Sequence, residues 1–206
     1  MTGTYIELLE RFYRKERGWL IRECTGRSAL SEPFCRSLAS SFSAPAPNSG
    51  AWWAIDYHLD WLAGVSQWRP TEADRVYGDR KMAFSIEDVD LIVATPEHLF
   101  LIEAKAAGSW SNAQLASKVA RLDNICPGGK LFIPSTGEKV IVHFGILSVR
   151  RAARVATSGW PHWAVDGKTP FIIEPEVPGP WTKLAVRRVS QTSEAELRWR
   201  IIETAT

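Results

Sequence analysis

The sequence predicts an α/β protein, a small mixed β-sheet flanked by helices. Three observations lead there. Two apolar runs of strand length, 88–94 and 98–105, are separated only by the break Thr95-Pro96-Glu97. Segments with helical spacing lie before them, at 4–24 and 31–42, and after them, at 111–124. Further short apolar runs, 131–133 and 139–149, follow the last of these helices around the turn 134–137. At 206 residues one domain is the natural count, with 1–50 a helical N-terminal extension ending in a linker and 51–206 the core.

In chain order, 4–24 has the pattern of one helix. Thr4 caps it, and Glu7 three positions on completes a capping box. Ile6, Leu9, Phe12 and Tyr13 form its apolar stripe, and its charged side fits solvent. In 31–42, Ser31 caps a second helix, Pro33 sits in the tolerated first turn, and Phe34, Leu38 and Phe42 share a side. Pro45 and Pro47 make 44–50 an extended linker. The stretch 51–65 fits two periods. Trp53, Ile55, Tyr57, Leu59 and Trp61 alternate as in a strand, while Trp52, Ile55, Leu59 and Leu62 have helical spacing. Its length favours a helix, on which Asp56 and Asp60 stack one turn apart beside His58.

Past the hairpin, Ser111 opens a helix with Leu115, Val119 and Leu122 inward and Gln114, Lys118 and Arg121 on the opposite stripe. Cys126-Pro127-Gly128-Gly129 stops it. His143 falls inside the apolar run 140–146, the usual place of a hydrogen-bonded core histidine. Residues 170–174 and 181–189 fit short strands, and 193–202 fits a last helix.

The chemistry concentrates at the open end of the hairpin. Twelve residues separate Asp90 from Glu103, so the folded hairpin sets them side by side on neighbouring strands. Alternation points Leu99, Leu101, Glu103 and Lys105 to one face and His98, Phe100, Ile102 and Ala104 to the other. Two carboxylates at a sheet end suit a hard divalent cation. Mg²⁺, with Mn²⁺ as substitute, would take Asp90, Glu103 and the Ala104 carbonyl and keep several waters. Lys105 would then orient the attacking water and offset developing negative charge. Asp56 or Asp60 would add a carboxylate, or His58 a proton shuttle; the alternative for all three is the wet face of a core helix.

Asp90 followed by an apolar run and Glu103-Ala104-Lys105 resembles the PD-(D/E)xK signature of the restriction-endonuclease-like nucleases, across 86–122. Val89 stands where the family's name has proline. The resemblance implies a restriction-endonuclease-like core, with Asp90 and Glu103 on the metal and Lys105 serving the water. It implies phosphodiester hydrolysis, DNA the favoured substrate, in defence or repair. It also implies that Gln114 or Lys118, on the helix after the motif, contacts the scissile phosphate. Gln114 has a competing role, because Ser111-x-x-Gln114 is itself a capping box. A helix-borne Glu32 or Glu7 would supplement the metal site, although a glutamate in a first turn is favoured by the helix dipole alone.

Composition limits the alternatives. Hydrophobic content of 45% and charged content of 23% suit a globular chain. No apolar run approaches the ~20 residues of a membrane span, and residues 1–17 lack the apolar segment of a signal peptide, which points to the cytoplasm. Cys24, Cys35 and Cys126 are odd in number and widely spaced, arguing against a disulfide frame or zinc site. A net charge of +2 says little about polyanions, so local clusters matter more. The ten tryptophans fit core and layer-edge packing, or base stacking for a few. Cutting both strands at one place would suit a homodimer. Two rival functions are a nuclease-like fold that binds nucleic acid without cutting it, and a Trp-rich protein-interaction module.

Overall fold

The computed structural model describes residues 3–70, 87–105, 110–148 and 155–174 in full, and the backbone of 182–188 and 199–205. The chain separates into two compact units, Met1–Pro175 and Glu176–Thr206. The first is mixed α/β. Helices α1 (Tyr5–Phe12), α2 (Glu16–Thr25) and α3 (Glu32–Phe42) precede strand β1 (Trp52–His58) and helix α4 (Leu59–Gln67). Strands β2 (Asp88–Ala94) and β3 (His98–Lys105) follow, then α5 (Asn112–Ile125), β4 (Lys130–Phe132), β5 (Lys139–Ser148), β6 (Val165–Asp166) and β7 (Thr169–Ile173). The seven strands form one mixed sheet in the order β1-β2-β3-β5-β7-β6, with β4 also on β5. β3, β5 and β7 run parallel, and the other pairs are antiparallel. The parallel step from β3 to β5 needs a crossover, and α5 supplies it. In the second unit, β8 (Thr182–Arg188) and β9 (Trp199–Ala205) pair antiparallel.

The sheet buries both faces. On one, Ile92, Ala94, Leu99, Leu101, Val142, Phe144 and Ile146 pack with Tyr5, Leu8 and Leu9 of α1, Leu59 and Leu62 of α4, and Leu115, Val119 and Leu122 of α5. On the other, Val93, Phe100 and Ile102 pack with Leu38 and Phe42 of α3 and with Trp53 and Ile173. Residues 1–50 thus fill core on both sides of the sheet. Gly145 lets α3 come this close. A Cβ there would lie 2.5 Å from Phe42 Cζ, so the strand gives up a side chain and the Phe42 ring takes its place. Tyr5 ties α1 to the hairpin tip, its Oη donating to the carbonyls of Thr95 and His98.

Four expectations need correction. The helix expected over 4–24 breaks after Phe12. Tyr13 is extended (ψ 121°) and so is Lys15 (ψ 116°), and the chain restarts as α2. The stretch 51–65 is a strand and then a helix, so each of its two periods holds for half. The β pairing with β2 wins where Trp53, Ala54 and Tyr57 can bury, and α4 begins at Leu59. The helix expected over 193–202 conflicts with β9, whose Trp199–Ala205 pairs with β8; a ladder partner outweighs local helical spacing. On α5, Lys118 and Arg121 do not lie opposite the inward side: Lys118 is 3% exposed and the Arg121 side chain 10%.

The caps at Thr4, Ser31 and Ser111 form as expected. His143 is a core histidine, its Nε2 3.0 Å from His98 Nδ1. Of the tryptophans, Trp53 and Trp160 are buried, and Trp52, Trp61, Trp68, Trp110 and Trp163 pack against the main core. Among the tryptophans whose burial is described, the exception is Trp19, 60% exposed on α2. Cys24, Cys35 and Cys126 are free thiols. Among the described residues no helix is long and apolar enough to cross a membrane. The basic residues Arg75, Arg80, Lys81, Arg150, Arg151 and Arg154 lie outside the described residues.

Candidate active site

The β2–β3 ladder ends at the pair Leu91↔Ile102. Asp90 and Glu103 stand at the next rung, where the main-chain pairing stops. The Asp90 side chain fills the gap, and its Oδ2 accepts from the Ala104 amide at 2.6 Å. A carboxylate thereby replaces a ladder carbonyl, in a charge-assisted bond that holds it between the strands. Glu103 is 7% exposed on the α5 side. Lys118 reaches it from α5. Its Nζ donates to Glu103 Oε1 at 2.5 Å and to the Asp88 carbonyl at 2.6 Å.

Two effects compete at Glu103. Burial disfavours the carboxylate, and the Lys118 ammonium favours it. Burial prevails: the Glu103 carboxyl is pushed up to about 7, with Asp90 and Asp88 adding smaller upward pushes. The carboxyl therefore titrates near neutral pH, and its neighbours include two further acids.

Lys105 Nζ lies 5.4 Å from the centroid of the Trp110 ring. Trp110 packs on the main core, the layer that also holds α5. Lys105 therefore extends to the same side as Glu103, as alternation along β3 requires. The Ala104 carbonyl lies between them in sequence, on an exposed residue.

The expected supplementary residues divide. Asp56 does reach this sheet end. It lies between the pairs Ile55↔Leu91 and Tyr57↔Val89, across from Asp90. Its φ is +51°, unusual for a residue other than glycine. Its Oδ2 meets Arg17 at 3.2 Å. His58 falls opposite Asp88 in the register, but its ring leans on Trp61, with centroids 4.4 Å apart. Asp60 accepts from Arg121, which also faces Glu87 at 3.6 Å; its acid links α4 to α5. Glu32 is exposed on α3 and pairs with Arg36 at 3.6 Å. Gln114 is exposed in the first turn of α5, where its amide is capped by Ser111. Lys118, expected at the phosphate, is spent inside on Glu103.

Three residues were not singled out by the sequence pattern. Asp88, two before Asp90, presents its carboxylate to Lys15 at 3.7 Å and its carbonyl to Lys118. Lys15 and Arg17 come in from the α1–α2 joint. The period-2 spacing of Asp88 and Asp90 was visible; the joint was not, because nothing but the break at Tyr13 brings those cations here.

Among the described residues no group of three or more His, Cys, Asp or Glu side chains is arranged to hold a metal. Comparisons with protein families, with characterised proteins and with solved structures find no match to this chain.

Proposed function

We propose that this chain is a divalent-metal-dependent nuclease of the PD-(D/E)xK kind, hydrolysing phosphodiester bonds, with DNA the favoured substrate. One observation carries the reading: Asp90 is held on the Ala104 amide beside buried Glu103, with Lys105 extending to the same layer. The donors suit Mg²⁺ or Mn²⁺, since Asp90 Oδ1, Glu103 Oε2 and the Ala104 carbonyl are all hard oxygens and few enough to leave room for water. Bound there, the cation would supply Lewis acidity and offset negative charge on the phosphoryl group.

The chain's own residues do the rest. Asp90 is fixed by its backbone bond, so its position costs no reordering. Lys118 holds Glu103 in one rotamer and is a positioning residue. Lys105 orients the attacking water and takes up developing charge. Exposed Gln114 remains the candidate for phosphate contact on α5. Three free thiols suit a reducing compartment such as the cytoplasm. Cutting both strands at one place would take two copies.

The test is cleavage of plasmid and of linear single-stranded DNA with Mg²⁺ or Mn²⁺. Asp90→Ala and Lys105→Ala should each lower the rate at least about 100-fold, the scale of losing a charge-stabilising group. Cutting unchanged in both variants overturns the assignment. Because protons compete with metal for Glu103, cleavage at low Mg²⁺ should rise as pH passes about 7, and more Mg²⁺ should move that midpoint down. A midpoint indifferent to Mg²⁺ would contradict a metal role for Glu103.

The Lys118–Glu103 bond favours a second reading, a nuclease-like fold that binds nucleic acid without cutting. An ammonium at 2.5 Å already answers the carboxylate's charge. Tight DNA binding with no cleavage at any metal concentration would select it.

A further inference from the structure

Helix α2 runs beside the sheet margin formed by β1. Arg17 meets Asp56 at one end of that strand, and Arg22 donates to the Trp53 carbonyl and stacks over the Trp53 ring near the other. Of the helix, Gly18 alone is buried. Its outward surface combines two features. Trp19, Leu20 and Ile21 are exposed by 60%, 45% and 42%. Around them, 11–27 hold six basic and two acidic residues, a net of +4, against +2 for the whole chain. The rest of the chain is therefore net acidic, and this segment's excess of positive charge flanks the exposed Trp19 in sequence. Two of these cations, Lys15 and Arg17, already touch acids at the candidate site.

We propose that the α1–α2 joint and α2 form a track for single-stranded polynucleotide leading to the acidic sheet end. Arg14, Lys15 and Arg17 hold backbone phosphates, and the Trp19 indole stacks on an unpaired base. The charge favours a polyanion over a second protein: an apolar partner would meet the exposed cations Arg14 and Arg17 close to Trp19 in sequence. An exposed indole stacks on bases irrespective of sequence, whereas it has no access to a base in an intact duplex. This rests on the nuclease reading for its destination, but the binding itself is independent of cutting.

The experiment uses the full chain as Asp90→Asn, in EDTA, with fluorescein-labelled oligo-dT and a matched duplex, followed by anisotropy over a salt series. Trp19→Ala should weaken oligo-dT binding about 5- to 50-fold and duplex binding little. Trp19→Phe should restore most of the loss. Arg14→Ala/Arg17→Ala should weaken both ligands and lower the salt slope by about 2, one for each phosphate contact. Thermal unfolding checks that each variant is folded. Oligo-dT affinity unchanged in the Trp19 and arginine variants overturns the proposal, as does no binding to either oligonucleotide. Self-association lost on Trp19→Ala, without nucleic-acid binding, overturns it in favour of a second copy. If the variants behave as stated but Asp90→Ala cuts at the wild-type rate, the nuclease assignment of the acids falls and the track stands.

Discussion

Strand β3 carries two titratable partnerships of opposite design, one half-buried and one buried. Near its start, His98 meets His143 on the α3 face, inside rings of Phe42 and Phe100, with the His143 and Phe100 centroids 4.8 Å apart. Near its end, Glu103 meets Lys118 on the α5 face. Burial, and then His98, pull the His143 imidazole down to about 4, so that ring is kept neutral. The Glu103 pair keeps charge inside the protein at a cost, since burial outweighs even a lysine at bonding distance. Where the ladder is closed, burial keeps His143 uncharged. Where it opens, Lys118 holds the Glu103 carboxylate against burial and two neighbouring acids. That contrast is what supports the reading proposed for the open end.

The largest expected effect comes from separating the charged pair. Lys118→Met should destabilise the fold by about 3–5 kcal/mol, because it strands a buried carboxylate. Glu103→Gln/Lys118→Met should recover most of that loss in urea unfolding. Additive losses in the double variant would mean the two residues do not act as a pair.

The pH dependence comes next, and the two partnerships pull in opposite directions. His143 binds its proton less readily folded than unfolded, so stability falls as pH drops from about 6.5 to about 4. Glu103 binds its proton more readily folded than unfolded, so stability rises as pH drops from about 7 to about 4.5. Each amounts to about 3 kcal/mol at most, so wild-type stability should be nearly flat between them. A His98→Phe/His143→Phe variant should grow more stable relative to its own pH 7 value on acidification to pH 5. A denaturation midpoint that instead drops like a plain acid denaturation would break the opposition.

Smaller again is Gly145→Ala. The added methyl must push Phe42 aside, at about 2 kcal/mol. It should disturb the histidine enclosure and leave any cleavage under the proposed function alone, since the acids stand on the other face. Thr4→Ala, which removes the cap of α1, should cost about 1 kcal/mol without touching either partnership.

The hairpin and its facing residues were legible because period-2 alternation and a Thr-Pro-Glu break are strong local signals. The placement of Asp90, Glu103 and Lys105 follows from those alone, while their proposed roles lean on the family resemblance. The burial of Lys118 was not legible. Its spacing from Leu115 and Val119 is as compatible with a polar stripe as with an inward cation, and only the acid across the gap between helix and sheet decides. The strand at Trp52–His58 was hidden for a similar reason. A helix begins at Leu59 and shares its apolar residues, so one window held two periods. Lys15 and Arg17 were lost with the unforeseen break at Tyr13, which turns one helix into two and carries the cations to the acids.

The Arg22 contact to the Trp53 carbonyl has a consequence for solubility. β1 is a marginal strand rich in apolar residues, and a bare margin of that kind recruits strands from other molecules. Arg22 occupies one acceptor on that margin, and α2 lies beside it. Arg22→Ala should therefore register first as turbidity on gentle warming, and increasingly so at higher protein concentration.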